Sequence, residues 1–180
     1  YLGPSSMYAW QLMKALSLSE RNGGARFGSM QNHYNLVYRE EEREMLPLCV
    51  DQGVGVIPWS PLARGMLGGN RQRGARGMSL RDDGDGVLAD QLYDHPADWD
   101  VVDATMGVAQ RRGVQPAQVA LAWLLSRPGV AAPIVVTTRL EQLDAAIAAV
   151  DVTLSAEECV ELEAPYQPHP VRGWLDGTPI

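Results

Sequence analysis

Short apolar runs alternate with amphipathic segments of helical spacing along most of this chain of 180 residues. The apolar runs at 27–31, 56–59 and 133–137 have the length and composition of buried strands. Strands that are joined through helices run parallel, because each helix carries the chain back to the edge where the previous strand began. The alternation therefore predicts an α/β fold made of βα units around a parallel sheet.

Capping and turn residues mark where the helices begin and end. Ser5 and Ser6 are typical of a turn and helix cap, and Pro116 suits the first position of a helix. Gly113 ends the helix before it, and Ser155 and Glu158 have the spacing of a capping box. The predicted helices cover 7–18, 40–52 (kinked or starting later because of Pro47), 99–110, 116–125, 140–150 and a last one after Ser155, before an irregular tail from 165.

The predicted sheet is too small to be complete. Residues 1–3 have the pattern of the end of a strand, so the chain supplies three strands and part of a fourth. A parallel sheet this narrow would leave long edges unpaired, and we expect another part of the sheet beside it. Because translation does not begin at tyrosine, we also expect residues before Tyr1.

Residues 60–97 differ from the rest of the chain. They are rich in Gly, Arg and Asp and show no hydrophobic period. A segment of this length without regular structure, inside a compact domain, is usually a functional loop or a disordered one. We therefore predict a long loop here.

Charge and composition exclude several classes of function. The chain carries 15 Lys+Arg against 22 Asp+Glu, a net charge of −7, which argues against a nucleic-acid or anionic-membrane partner. Its apolar stretches are too short to span a bilayer. Cys49 and Cys159 lack metal-ligand spacing, so we expect reduced thiols, no metal site and a cytoplasmic protein.

Several phrases of the sequence resemble the aldo-keto reductase family, and they occur in the family's order. The phrases are GPSSM at 3–7, QNxYN at 31–35, GVIPWSPLARG at 55–65, PIVVTTRLEQL at 133–143 and EAPY at 163–166. The resemblance implies the C-terminal half of a (β/α)8 TIM-type barrel over residues 1–180, incomplete in this chain. It also implies an NADPH-dependent oxidoreductase that reduces aldehydes and ketones by hydride transfer, with 60–97 as a loop that covers cofactor or substrate.

The resemblance assigns residues to the nicotinamide end of NADPH. Ser5, Ser6 and Gln31 would hydrogen-bond the carboxamide, which offers both a donor and an acceptor. Trp59 would stack on the nicotinamide ring. Taken singly, the two serines are more often a helix cap and the tryptophan more often core. Their joint order with the other phrases favours the cofactor interpretation.

The resemblance also assigns residues to the phosphate and adenine end. A guanidinium at the start of a helix suits a phosphate, although a single exposed arginine is usually a solvated surface charge. The pyrophosphate would contact Ser60, Leu62, Arg64 and Gly65; the 2′-phosphate would contact Thr138 and Arg139; and Gln142 would face the adenine. Departures from the family pattern at Pro4, Asn70, Val136, Ala145 and Ala146 leave the choice between NADPH and NADH open.

The catalytic residues of the family, a Tyr supported by Lys and Asp with a nearby His, belong to strands upstream of Tyr1. Lys14 is the one lysine of the chain and lies on the first predicted helix, and His33 is predicted to be a structural or surface histidine. We therefore expect no catalytic residue and no activity from this chain alone. The implied partners are a small carbonyl substrate and the missing N-terminal half-barrel.

Two other functions remain open at the level of sequence. One is a non-catalytic half-barrel that senses nucleotide, regulates a partner, or closes its barrel as a homo-oligomer. The other is an unrelated barrel enzyme with a phosphate site near its last strands. The phrase WSPLA at 59–63 argues against the second.

Overall fold

The computed structural model describes residues 1–69, 73, 91–93 and 95–171. The helices in this part of the chain are α1 (Ala9–Arg21), α2 (Met45–Gln52), α3 (Asp98–Arg112), α4 (Pro116–Leu125), α5 (Leu140–Ala148) and α6 (Ala156–Glu163). The strands are β1 (Ser29–Met30) and β2 (Gly55–Val56), and short 3-10 turns occupy Glu40–Glu42, Ala63–Gly65 and Ala149–Asp151. No helix of the described residues is long and apolar enough to cross a membrane.

Four extended segments lie side by side in chain order, and all of them run parallel. Strands β1 and β2 pair with Ser29 opposite Gly55. On one side, Ser5 forms a parallel bridge with Gln31, and on the other Val56 forms one with Val130. The last segment continues beside the residues that follow β2. There the Ile134 N–H donates a 2.9 Å hydrogen bond to the Pro58 carbonyl. This arrangement confirms the predicted α/β fold with a parallel sheet.

Two glycines allow the outer segments to approach their neighbours. A Cβ at Gly3 would lie 2.3 Å from the Ser29 hydroxyl oxygen. Gly129 has a φ of +82°, and a Cβ there would lie 3.0 Å from a methyl carbon of Val50. A larger residue at Gly3 would push the first segment away from β1, whereas one at Gly129 would be strained by the positive φ and would crowd Val50 of α2.

Helix α1 begins at Ala9, two residues after its predicted start. It begins after Tyr8, whose backbone N–H donates a hydrogen bond to Gln11 Oε1. The predicted helix cap at Ser5 and Ser6 is therefore wrong. The buried face consists of Leu12 and Leu16. The apolar spacing in the sequence correctly predicted a helix. It did not show which side of this helix packs against the sheet.

Helix α2 is shorter than the predicted helix over 40–52. The glutamate-rich stretch forms the separate turn Glu40–Glu42, and α2 begins at Met45. Pro47 thereby falls in the first turn, where its missing N–H has no intrahelical partner to lose. Of the two alternatives left open by this proline, the later start is confirmed.

The remaining helices follow their capping signals. Gly113 ends α3 with a φ of +67°, and Pro116 opens α4. The capping box of α6 is confirmed, since Ser155 Oγ accepts the Glu158 N–H at 3.2 Å while the Glu158 carboxylate accepts the Ser155 N–H at 2.7 Å. Helix α5 ends at Ala148, two residues before its predicted end, and gives way to the turn Ala149–Asp151.

Most of the predicted loop over 60–97 lies outside the described residues, and so does Asn70. Its described parts include the turn Ala63–Gly65 and the buried residues Leu92 and Tyr93. The predicted strand over 133–137 is bonded to the sheet through Ile134 alone. The first and last extended segments thus form the two outer edges of the described sheet.

Candidate functional site

The side chains at the carboxyl edge of the sheet contact each other across neighbouring segments. Ser5 Oγ donates a 3.2 Å hydrogen bond to the Gln31 carbonyl. The indole Nε1–H of Trp59 donates to Ser6 Oγ at 3.0 Å, joining the first and third segments. These four residues were assigned to the nicotinamide from sequence, and the fold brings them together because parallel strands end at a common edge. The two serines are therefore engaged in sheet contacts and do not cap α1.

The Gln31 side chain is half-buried, and no hydrogen bond joins its amide to another described residue. A half-buried amide with free donors and acceptors at the edge of a sheet is available to a ligand that offers the complementary groups. Together with the hydroxyls of Ser5 and Ser6, this edge therefore fits a primary carboxamide.

Trp59 belongs to a stack of three rings. Its indole lies against the His33 imidazole with centroids 4.2 Å apart and planes inclined by 12°. The other face of the imidazole lies on the Tyr38 ring at 4.1 Å and 11°. His33 and Tyr38 are completely buried, whereas Trp59 is half-buried. The ring stack (Trp59, His33 and Tyr38) therefore connects the core to the surface of the site.

The imidazole of His33 is neutral at physiological pH. Burial, reinforced by the positive charges of Arg64 and His169, lowers the pKa of His33 to about 3. Its Nε2 lies 2.6 Å from the Tyr93 hydroxyl, and no described residue hydrogen-bonds its Nδ1. Burial also raises the pKa of the Tyr93 phenol, which keeps that hydroxyl protonated.

Asn35 holds the loop that follows β2. Its Nδ2 donates to the Ser60 carbonyl at 2.9 Å and to the Tyr93 hydroxyl at 3.1 Å. Its Oδ1 accepts the backbone N–H groups of Val37 and Tyr38, each at 3.0 Å. With both ends of the amide engaged, Asn35 fixes the position of Ser60 relative to the ring stack.

The loop after β2 has an unusual backbone. Ser60, Ala63 and Arg64 have φ angles of 51°, 47° and 53°, and Gly65 has a φ of 94°. Left-handed conformations of residues other than glycine cost about 1–2 kcal/mol each and are concentrated at functional sites. Within this turn the N–H groups of Ala63 and Gly65 donate to the carbonyls of Ser60 and Leu62, at 3.0 and 2.9 Å. The pyrophosphate residues predicted from sequence, including Leu62, lie in this turn.

The residues predicted for the 2′-phosphate lie at the start of α5. Arg139 is the N-cap of α5, and both Thr138 and Arg139 are exposed. No carboxylate of the described residues pairs with Arg139. The side-chain Oε1 of Gln142 accepts the Thr138 N–H at 3.4 Å. In this rotamer the Gln142 side chain does not extend outward as an adenine ligand would. No contact joins these residues to the ring stack, so they form a separate end of the site.

Sequence reasoning missed several residues of the site. Tyr38 and Tyr93 were not singled out, and Asn35 was quoted within the QNxYN phrase without a role. His33 was assigned a structural or surface role, of which the structural one agrees with its burial. The contacts of His33 and Asn35 with Tyr93 span 60 and 58 residues. No local pattern reports contacts of this separation. In the described part of the chain, no group of three or more His, Cys, Asp or Glu side chains is arranged to hold a metal.

Comparison with known proteins shows the family to which the chain belongs. The Aldo/keto reductase family matches residues 1–166. Versiconal hemiacetal acetate reductase of Aspergillus parasiticus is 42% identical over 170 residues, which make up 93% of this chain and 48% of the relative. An aldo-keto reductase of Fusarium vanettenii is 40% identical over 96% of this chain and 46% of its own length. Aldo-keto reductase AMT2 of Alternaria alternata is also 40% identical, with the same coverage of both chains.

The chain thus spans about half the length of the curated relatives it matches. The family match covers the four extended segments, the ring stack and the turn after β2. On this evidence, the chain belongs to the aldo/keto reductase family.

Proposed function

We propose that this chain is the C-terminal, cofactor-binding portion of an NADPH-dependent reductase that converts aldehydes or ketones to alcohols. The observation that carries the proposal is the meeting of Ser5, Ser6, Gln31 and Trp59 at one edge of the parallel sheet. The family fold is a (β/α)8 barrel, whose ligands bind at this edge. The four parallel segments are consistent with half of such a barrel.

The nicotinamide end of the site fits a flat aromatic ring that carries a carboxamide. The half-buried indole of Trp59 offers a stacking surface, and the amide of Gln31 is free to pair with the carboxamide. When bound, the dihydronicotinamide supplies the hydride that reduces the carbonyl carbon of the substrate. The residues of this chain hold and orient that ring and help to exclude water from it.

The other end of the site fits phosphates. The left-handed turn brings Ser60, Leu62 and Arg64 together for the pyrophosphate, and Arg139 at the start of α5 supplies a guanidinium for the 2′-phosphate. Because Gln142 bonds back to Thr138, we assign the adenine contact of Gln142 to a rotamer that gives up this long hydrogen bond on binding.

The relatives are about twice as long as this chain, and we propose that their additional residues form the N-terminal half-barrel. Leu2 and Val136, on the two outer segments, are 51% and 69% exposed. Apolar side chains at sheet edges of this kind lose contact with water when further strands pair with them. We propose that those strands also supply the Tyr, Lys, Asp and His of the reaction, so that the chain alone binds nucleotide without turning over substrate.

Nucleotide binding by the purified chain tests the proposal. We expect NADPH to bind, and Trp59→Leu to weaken the binding about tenfold through loss of the stacking surface. Trp10→Leu is the matched control, because Trp10 is 53% exposed on α1, away from the sheet edge. Equal affinities of the parent and the Trp59 variant would contradict the assigned site.

The phosphate end has its own test. Arg139→Ala should weaken NADPH binding about tenfold or more and leave NADH binding unchanged, since a charge-assisted phosphate contact is lost. Arg21→Ala, at the end of α1, is the control. If the Arg139 variant still preferred NADPH over NADH, the 2′-phosphate would have to bind at other residues.

A further inference from the structure

We propose that His33 is a positioning residue for the cofactor: it fixes the plane of the Trp59 indole from behind and thereby fixes where the nicotinamide ring stacks. The inference rests on the proposed function, because it assigns a role toward the same nicotinamide. It adds to that function a residue that makes no contact with the cofactor itself.

The ring stack supplies the geometric basis. His33 lies between Trp59 and Tyr38 with both ring planes within 12° of its own. Since the two distances are 4.2 and 4.1 Å, one face of the indole is covered by the imidazole at van der Waals contact. Tyr38 is completely buried and supports the imidazole from the core side. The indole can therefore tilt inward only if the imidazole moves.

The imidazole is itself held in place. Its Nε2 lies 2.6 Å from the Tyr93 hydroxyl, and Asn35 Nδ2 lies 3.5 Å from the same nitrogen. The Asn35 amide also donates to that hydroxyl. His33 is thus restrained in its plane by hydrogen bonds and perpendicular to its plane by two rings.

Two restraints together define the orientation of the indole. Stacking on His33 sets the plane of the ring, and the hydrogen bond from Nε1 to Ser6 Oγ sets its rotation within that plane. The face opposite His33 is the one left for a ligand. A ring bound on that face would extend the stack outward and lie parallel to the indole. This parallel orientation is what presents one face of a nicotinamide to a substrate.

The absence of charge on His33 favours this role. An uncharged imidazole behind the indole leaves the electron-rich outer face of Trp59 available to the positively charged oxidised nicotinamide. A cation in the same place would compete for that face. Burial, reinforced by the charge of Arg64, keeps the pKa of His33 far below the physiological range.

The first experiment needs no cofactor. The indole N–H signal of Trp59 is identified in a nitrogen–proton correlation spectrum by its loss in Trp59→Phe. His33→Leu should shift this signal through loss of the aromatic neighbour, while His33→Phe should keep a signal characteristic of a stacked indole. His95→Leu is the control. An unchanged Trp59 signal in a folded His33→Leu variant would overturn the proposal.

The second experiment compares NADPH with 2′-phospho-ADP-ribose, which shares the phosphates and adenine but has no nicotinamide. His33→Leu should weaken NADPH binding roughly three- to tenfold, the size of one aromatic stacking contact, and leave 2′-phospho-ADP-ribose unchanged. His33→Phe should restore most of the NADPH affinity. If His33→Leu does not fold, His33→Asn removes the ring and keeps a polar partner for Tyr93.

The outcomes separate the inference from the proposed function. Equal weakening of both nucleotides would show a general structural role for His33 and overturn the inference. Unchanged NADPH binding in the variant, with normal binding by the parent, would overturn the inference alone. Failure of the parent chain to bind either nucleotide would overturn the proposed function, and the nicotinamide role of His33 would fall with it.

Discussion

Asp98 and His169 join the start of α3 to the C-terminal tail through a 2.8 Å hydrogen bond between Oδ1 and Nε2, and both side chains are almost completely buried. The His169 backbone N–H also donates to Glu40 Oε1, as does the Tyr166 hydroxyl. The tail is therefore attached both to α3 and to the turn Glu40–Glu42. It covers the core next to Tyr38, whose ring lies 6.1 Å from that of His169.

Replacing His169 should detach the tail. His169→Leu leaves a buried Asp98 carboxyl without one of its partners, and we expect the free energy of unfolding to fall by about 1–3 kcal/mol. The measurement is urea unfolding followed by circular dichroism. Gln110→Ala is the control, because Gln110 is an exposed residue near the other end of α3. Equal effects of the two substitutions would contradict a specific role for the Asp98–His169 pair.

Glu41 should make the protein less stable as the pH rises. Burial raises the pKa of the Glu41 carboxyl to about 7, although a 3.2 Å hydrogen bond from Asn32 opposes the shift. A raised pKa means that the folded state binds the proton more tightly, so its stabilising contribution is present below about pH 4.5 and is lost as the pH rises to about 7.

Glu41→Gln should therefore be more stable than the parent at pH 8, by about 1–3 kcal/mol, with a smaller difference at pH 5. Urea unfolding at the two pH values measures this difference. Glu44→Gln, at an exposed neighbouring position, should show no such dependence. A Glu41 variant with the same pH dependence as the parent would show that this carboxyl is not the source.

His33 should act in the opposite direction. Its lowered pKa, about 3, means that the unfolded state takes up the proton first as the pH falls below about 6.5. Stability from the neutral imidazole is full above about pH 6.5 and is lost as the pH falls toward 3. Between about pH 4.5 and 6.5 the contributions of His33 and Glu41 oppose each other, and the parent should show a nearly constant stability there.

His33→Phe removes the contribution of His33 to the pH dependence of stability and leaves that of Glu41. We expect the stability of the variant to decrease with rising pH between 4.5 and 6.5, because the contribution of Glu41 is no longer opposed by that of His33. Thermal melts at half-unit pH steps give the slope. The double variant with Glu41→Gln should be flat again, and a sloping double variant would require another titrating group.

The left-handed turn after β2 should reject β-branched residues. Ala63 is completely buried and has a φ of 47°. Valine is strongly disfavoured in this conformation, so Ala63→Val should cost about 2 kcal/mol or more, while Ala63→Gly should remain within about 1 kcal/mol of the parent. Ala104→Val, on the regular helix α3, is the control in a thermal melt. Tolerance of valine at both positions would show that the turn relaxes at little cost.

The parts of the fold that depend on neighbouring residues were predictable from sequence. Helix α6 begins where Ser155 and Glu158 predict, α3 ends at Gly113, and the parallel order of the segments follows from their alternation with helices. The cofactor residues were proposed through motifs rather than periodicity. Those assigned to the nicotinamide meet at one edge of the sheet, as the fold predicts, while their role in binding stays a prediction.

The parts that were not predictable depend on contacts between distant residues. Ser6 has the local pattern of a helix cap, but it accepts a hydrogen bond from Trp59, 53 residues away. His169 lies in a tail without periodicity and meets Asp98 across 71 residues. In each case the chain offers a polar side chain with several local options, and tertiary packing selects a distant partner.

Asn35 has a consequence for the entropy of ligand binding. One amide nitrogen holds both the Ser60 carbonyl and the Tyr93 hydroxyl, so the two ends of the segment 60–93 are brought together at a single point. Bringing the ends of a segment together reduces its conformational freedom, and the reduction grows only slowly with the length of the segment. Because Asn35 imposes this reduction when the protein folds, a nucleotide bound beside Ser60, as we propose, would not have to impose it again, and more of its contact energy would remain as affinity.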